Sequence, residues 1–379
     1  MSEPRTVVVT APGKLFVTGE YAVTQPEWLS VLIAVDRRLR VVLDSAAEPA
    51  ELLGSAWSYV AASRLVMERL ALAEGREIAH FRVRTFSDLH DPDPDGFGPL
   101  KYGLGSSAAV TAAMVTALDD WYGLELSLPE RLRAGLLATY LVNPAASGAD
   151  VATCLAGGWV AYSSPVRGGD GPPEALAPDE LTPQVCADLV RRDWPGLTFR
   201  SLPTPSFAVD VGWTGRPAST MSLVAAVRAS GGIPAEFLTR ADEASRALVA
   251  AIENDDSAGA LAAVSSARAN LVELGAVSGV AIETPQLTAL VNTAEALGFA
   301  AKSSGAGGGD CGIAVGAADA PVGELRRAWQ AEGIRPMGLR IASGARVEPP
   351  ADRNDSGYHA SVGSQAGGSH AVGSGASDE

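Results

Sequence analysis

Lysine is nearly missing from this sequence. Its 379 residues hold 26 arginines but three lysines, Lys14, Lys101 and Lys302. Cysteine is scarce too: Cys154, Cys186 and Cys311 have no paired spacing, which gives neither a disulfide framework nor a zinc site. Four histidines, two of them in the last thirty residues, argue against a histidine-rich metal centre. Positive charge is short overall, with a net charge of −15, so neither nucleic acid nor an anionic membrane surface is expected as a partner. An anionic ligand would have to be drawn by a local positive cluster. No apolar run approaches the roughly 20 residues of a membrane span. The N-terminus enters a strand-like TVVV run directly, without a basic region followed by an apolar one. These absences leave a cytoplasmic enzyme as the expectation, its partner a small-molecule substrate, anionic only if such a positive cluster exists, with the oligomeric state open.

What is present reads as globular: 47% hydrophobic and 19% charged residues. The length exceeds what one hydrophobic core usually supports, so two domains are expected. TVVVT, KLFVT, VLIAVD and LRVVLD read as four strands separated by turns, and FRVRTF (81–86) as another. Helical spacing runs from Trp57 to Ala73, from Ser106 to Trp121 and over 129–142. Residues 87–100, with three prolines and four aspartates, read as an exposed loop, and 164–183 as an irregular excursion. Beyond the FAVDVGW strand (207–213), helices are expected over 219–230, 235–254, 257–274, 285–297 and 321–332. Strands are expected at 299–303, 311–315 and 336–341. Strands and helices without a strict βαβαβ rhythm favour two α+β domains over a doubly wound sheet. The expected division is 1–204 and 205–348. The Gly/Ser-rich stretch 349–379 is expected to be a disordered tail.

Three segments carry chemistry. In PLKYGLGSSAA (99–109), Gly103 and Gly105 would let backbone amides approach a ligand, and the helix that follows presents unpaired N–H groups suited to phosphate. Ser106 and Ser107 could cap that helix, bind phosphate oxygens or ligate magnesium. GLGSSA also satisfies the dinucleotide pattern G-x-G-x-x-A. That reading needs an apolar strand before it and an acid ending a second strand about 20 residues on. A polar loop precedes it here, and Asp119 and Asp120 fall on the helix itself. APGKLFVTGEYAV (11–23) places Lys14 in a glycine-containing turn, and KSSGAGGGDCGIAV (302–315) has five glycines within 305–312. No GxxxxGK[ST] occurs, which excludes a P-loop enzyme. Each segment alone could be ordinary turn punctuation. Together they hold every lysine of a chain that otherwise uses arginine, and a compact ammonium is a different phosphate ligand from a guanidinium fork.

In kind and order the three segments resemble the three motifs of the GHMP kinase superfamily. GEYAV with Tyr21, KYGLGSSAAV and VGWTGRPAST (211–220) are most similar to its phosphomevalonate kinase branch. The resemblance implies an α+β N-terminal domain, a ferredoxin-like C-terminal domain, and ATP with Mg2+ in the cleft between them. It implies that Lys101, Gly103, Leu104, Gly105, Ser106, Ser107 and Ala108 bind the nucleotide, with Ser107 a magnesium ligand. Lys14 and Asp150 would be catalytic, Asp150 orienting Lys14 or the metal, or else taking a proton; a plain helix N-cap is its structural alternative. Glu20, Tyr21, Arg216, Ser219, Thr220, Ser304, Gly305, Gly307, Gly308 and Asp310 would contact the substrate. The acidic residue that completes magnesium binding in mevalonate kinases has no counterpart in LLATYLV (136–142). Another kinase of the superfamily acting on an alcohol, or a ligand sensor without activity, are the competing readings.

Overall fold

The computed structural model describes residues 5–47, 57–92 and 99–349; the expected tail lies outside them, apart from Pro349. In chain order the elements are β1 (Thr6–Thr18), β2 (Leu29–Ser45), α1 (Trp57–Ala73), β3 (Phe81–Ser87), β4 (His90–Pro92), β5 (Pro99–Lys101), α2 (Ser106–Tyr122), α3 (Leu128–Val142), α4 (Ala149–Ala156) and β6 (Trp159–Ser163). After these come α5 (Pro183–Arg191), β7 (Thr198–Leu202), β8 (Ala208–Trp213), α6 (Thr220–Ala229), α7 (Ala235–Glu253), α8 (Ser257–Ser278), α9 (Pro285–Glu295), β9 (Ala300–Ser303), β10 (Cys311–Gly316), α10 (Val322–Ala331), β11 (Arg335–Pro336) and β12 (Arg346–Val347).

The four strands expected before residue 45 are two long ones. β1 and β2 pair antiparallel along their length, and the anticipated turn at Pro12–Gly13 is a bulge. Pro12 faces Arg38 while Gly13 faces Val35, so Asp36 and Arg37 on β2 are extra and are pushed out of the ladder. Lys14 therefore sits on a rigid strand rather than in a turn. The first sheet runs β12-β1-β2-β6-β7, with β3 also on β2. Residues 87–100 are not wholly a loop either: His90–Pro92 and Pro99–Lys101 form a short antiparallel ladder.

The second sheet has the order β11-β8-β10-β9 with antiparallel neighbours. Numbered from β8, that is 4-1-3-2, the ferredoxin-like arrangement. The strand expected over 336–341 shrinks to β11, because Pro336 and the left-handed Gly338 break the ladder. The chain then crosses back: Ile341 bridges to Val35, Ser343 to Gly157, and β12 adds to β1. One apolar core continues from β1, β2 and α1–α4 into Val211, Trp213, Ile313 and Val315 of the second sheet. Its centre is α2, buried from Ala108 to Asp119. Alanines at 108, 109, 112, 113 and 117 let that helix lie close against the sheet, which sets the position of its first turn.

Candidate active site

The site forms where the Lys14 bulge meets the start of α2. The Lys14 amide donates to the Leu104 carbonyl at 3.0 Å, which ties β1 to the Gly-Leu-Gly turn. Gly105 is the N-cap of α2 with φ +79°, and a Cβ there would stand 2.6 Å from Lys14 Cε. The lysine stem thus lies directly over that glycine, so its smallness and its left-handed backbone are both required. Ser106 and Ser107 are exposed in the first turn, beside amides that have no partner within the helix.

Asp150 sits in the first turn of α4, whose N-cap is Gly148, so it is not the cap itself. Its Oδ1 is 3.3 Å from Lys14 Nζ and makes no aligned hydrogen bond. Lys14 Nζ also lies 5.4 Å from the centre of the Phe16 ring. Two helix N-termini, of α2 and α4, therefore converge beside one buried ammonium, a local positive field inside an acidic protein.

The glycine-rich segment closes the third side. Asp310, in a left-handed conformation at φ +53°, accepts the Ala218 amide on Oδ1 at 3.1 Å. Burial raises its pKa, while the Ala218 amide and the Lys14 charge oppose that rise. Its Oδ2 is 2.6 Å from where a Cβ of Gly103 would be, so the third segment packs onto the second at a glycine. Its amide donates to the Arg216 carbonyl at 2.7 Å. Arg216 itself is exposed, Ser219 caps α6, and Thr220 is the first residue of that helix. Gly305 faces open space. Gly308 donates its amide to Ile282, and Gly307 packs against the same carbonyl. Ser304 is buried, its hydroxyl donating to the Phe16 carbonyl at 3.0 Å.

Three expected participants are placed elsewhere. Lys302 is fully buried; its ammonium pairs with Glu20 and donates to the Ser303 carbonyl at 2.6 Å. Burial lowers its pKa and Glu20 pulls it back up. Glu20, expected at the substrate, is the buried partner of that pair. Tyr21 is buried as well, with its phenol donating to the Ala306 carbonyl at 2.7 Å. All three fasten the first segment to the third: a buried charge must find its counter-charge inside, and a buried phenol its acceptor. Lys101 is exposed on β5, opposite His90, and Leu104 and Ala108 are buried, so they can offer a ligand only their backbone. Two residues were missed by the sequence reading. Tyr59 of α1 lies beside Ser107; burial raises its pKa, Ser107 opposes this and nearby Asp150 adds to it. Tyr102, immediately before Gly103, is fully buried. Only its adjacency to the glycine turn could have flagged it.

No group of three or more His, Cys, Asp or Glu side chains is arranged to hold a metal among the described residues. Ser107 and the enclosed, unbonded Asp150 Oδ1 still suit magnesium, which commonly takes one or two protein ligands and completes its shell with phosphate and water.

The profile of the GHMP kinases N terminal domain matches residues 58–158, and that of the GHMP kinases C terminal domain matches residues 247–335. The chain belongs to the GHMP kinase family, a class of ATP-dependent small-molecule kinases. It is 36% identical to the phosphomevalonate kinase of Streptomyces sp. (strain CL190), over 89% of this chain and 98% of that one. The solved phosphomevalonate kinase of Streptococcus pneumoniae, in complex with phosphomevalonate and AMPPNP, superposes with a TM-score of 0.75 at 25% identity, covering 88% of this chain and 99% of that one. The Lin0012 protein from Listeria innocua superposes at 0.79 with 28% identity, over 91% and 99% of the two chains. Among the described residues no helix is long and apolar enough to cross a membrane.

Proposed function

We propose that this protein transfers the γ-phosphate of ATP to (R)-5-phosphomevalonate, giving 5-diphosphomevalonate and ADP. The observation that carries the reading is the Lys14 ammonium held between Asp150 and the Gly105 backbone, at the open N-termini of α2 and α4. The likeness to the Streptomyces enzyme along nearly its whole length supports the choice of acceptor.

A phosphate acceptor has a second pKa near 6 and is already largely dianionic at neutral pH. It therefore needs little general-base help, and the main difficulty is bringing it against the charged γ-phosphate. The exposed Ser106 and Ser107 and the free amides of α2 would hold the nucleotide phosphates. Ser107 and Asp150 would hold the magnesium that accompanies ATP, which supplies charge neutralisation. Lys14 would lie between the donor and acceptor phosphates, its direction set by Asp150 and its stem by Gly105. Asp310, whose pKa burial raises against the opposing Ala218 amide and Lys14 charge, would close the third side beside them.

A coupled ADP-release assay with 5-phosphomevalonate, mevalonate and galactose tests the acceptor. Turnover is expected with 5-phosphomevalonate; faster turnover on mevalonate would overturn the assignment, and none on any of them would favour a ligand sensor. Asp150→Asn separates orientation from proton abstraction. A rate loss constant across pH 5–8 is expected, whereas a loss that deepens as pH falls through about 6 would identify a base.

A further inference from the structure

Tyr102 is gripped from both halves of the molecule, one residue before the phosphate-binding turn. Its phenol donates to Asp91 Oδ2 at 2.5 Å and accepts from Arg335 Nη1 at 2.8 Å. Arg335 Nη2 reaches the same Asp91 oxygen at 3.0 Å, and Arg37 Nη1 holds Asp91 Oδ1 at 2.9 Å. The guanidinium carbons of Arg37 and Arg335 lie 4.8 and 5.6 Å from the centre of the Tyr102 ring. Trp213 meets that ring edge-on at 5.1 Å, and the Cys311 thiol donates to the Tyr102 carbonyl at 3.2 Å.

The provenance of these partners matters. Arg37 comes from the bulge of β2 and Asp91 from β4, both in the first half. Arg335, Trp213 and Cys311 come from β11, β8 and β10 of the second sheet. Two guanidiniums and a buried phenol converge on one carboxylate, a geometry that is satisfied only when the two halves are in register. Gly103 follows directly, in a left-handed conformation and packed on Asp310, so any shift of Tyr102 is passed to the turn that ends at Gly105.

We propose that Arg335, acting through Tyr102 and Asp91, is a positioning residue that sets the phosphate-binding turn according to how the second half is docked on the first. The inference rests on the proposed use of that turn for ATP. It does not depend on the identity of the acceptor.

The test is direct ATP binding by equilibrium titration without acceptor, on the full chain, for Arg335→Met, Tyr102→Phe and the double variant. Tyr102→Phe keeps the ring on Trp213 and removes only the phenol bracket. Loss of a charge-assisted hydrogen bond predicts about tenfold weaker ATP binding for each single variant. The double variant should be no worse than the weaker single one, since both cut one linkage. Added guanidinium, below denaturing concentration, should restore part of the affinity of Arg335→Met alone. Parental ATP affinity in both single variants, additive losses in the double, or an affinity loss with no guanidinium rescue would each overturn the proposal. Loss of turnover on 5-phosphomevalonate with these binding results intact would count against the acceptor and leave the positioning role standing.

Discussion

Replacing Lys302 distinguishes a structural lysine from a phosphate-binding one. In the structure its side chain is fully buried, and Glu20, its partner, is 3% exposed. Lys302→Met keeps length and apolar bulk but leaves the Glu20 carboxylate buried without a counter-charge. Breaking such a pair costs about 3–5 kcal/mol. Replacing both members is far milder, so Glu20→Gln in the Lys302→Met background should recover all but about 1–2 kcal/mol, a residue of imperfect hydrogen bonding. With a urea m-value of about 3 kcal/mol/M, the single variant should unfold at least about 1 M earlier than the parent, and the double within about 0.7 M of it. Tryptophan fluorescence and circular dichroism followed through the same titration provide the assay. The double variant, once folded, should retain ATP turnover within a few-fold. A Lys302→Met protein that unfolds with the parent yet loses turnover would refute the structural assignment, because the ammonium would then be acting on phosphate and not on Glu20.

Gly105→Ala should lose turnover by at least tenfold and stability by about 1–2 kcal/mol. The left-handed backbone accounts for the stability loss, and the 2.6 Å approach to Lys14 Cε, which forces the lysine aside, accounts for the rate. Unchanged kcat would show that Lys14 need not lie over that glycine. Asp91 gives an acid-stability prediction. Burial by itself would raise its pKa, but hydrogen bonds from Tyr102 and Arg37 and the charge of Arg37 leave it below the ordinary range. A carboxyl depressed in the folded state contributes stability that is complete above its unfolded pKa of about 3.9 and is lost as pH falls through the folded value. The gap in urea midpoint between the parent and Asp91→Asn should therefore be widest above pH 5 and shrink below pH 4; a constant gap would contradict it. His90 is lowered by burial first and by the charge of Lys101 second, so it favours the neutral form in the folded state. Its contribution is present above about pH 6.5 and declines as pH falls below that, and His90→Gln should flatten the decline between pH 6.5 and 5.

By itself the sequence determined the kind of protein and the location of its chemistry. Glycines at 103 and 105 ahead of an alanine-rich helix, and lysines confined to three segments, are local facts. A helix N-terminus offers its unpaired N–H groups to phosphate as a matter of local structure. The helical periods of α1, α2 and α7 were legible for the same reason, since a residue three or four places away decides which face is buried. Pairing between distant segments was not legible. Pro12–Gly13 carries every local mark of a turn, and only the two surplus residues Asp36 and Arg37 on the opposite strand make it a bulge in a continuous β1. Nothing near Lys302 announces that Glu20, 282 positions earlier, is its partner. Three lysines that look alike in one dimension thus separate in three: Lys14 stands over the phosphate turn, Lys101 lies exposed beside it, and Lys302 is shut inside. The tertiary structure decided this because burial and ion pairing depend on which strands lie side by side, and local residue preference does not encode that.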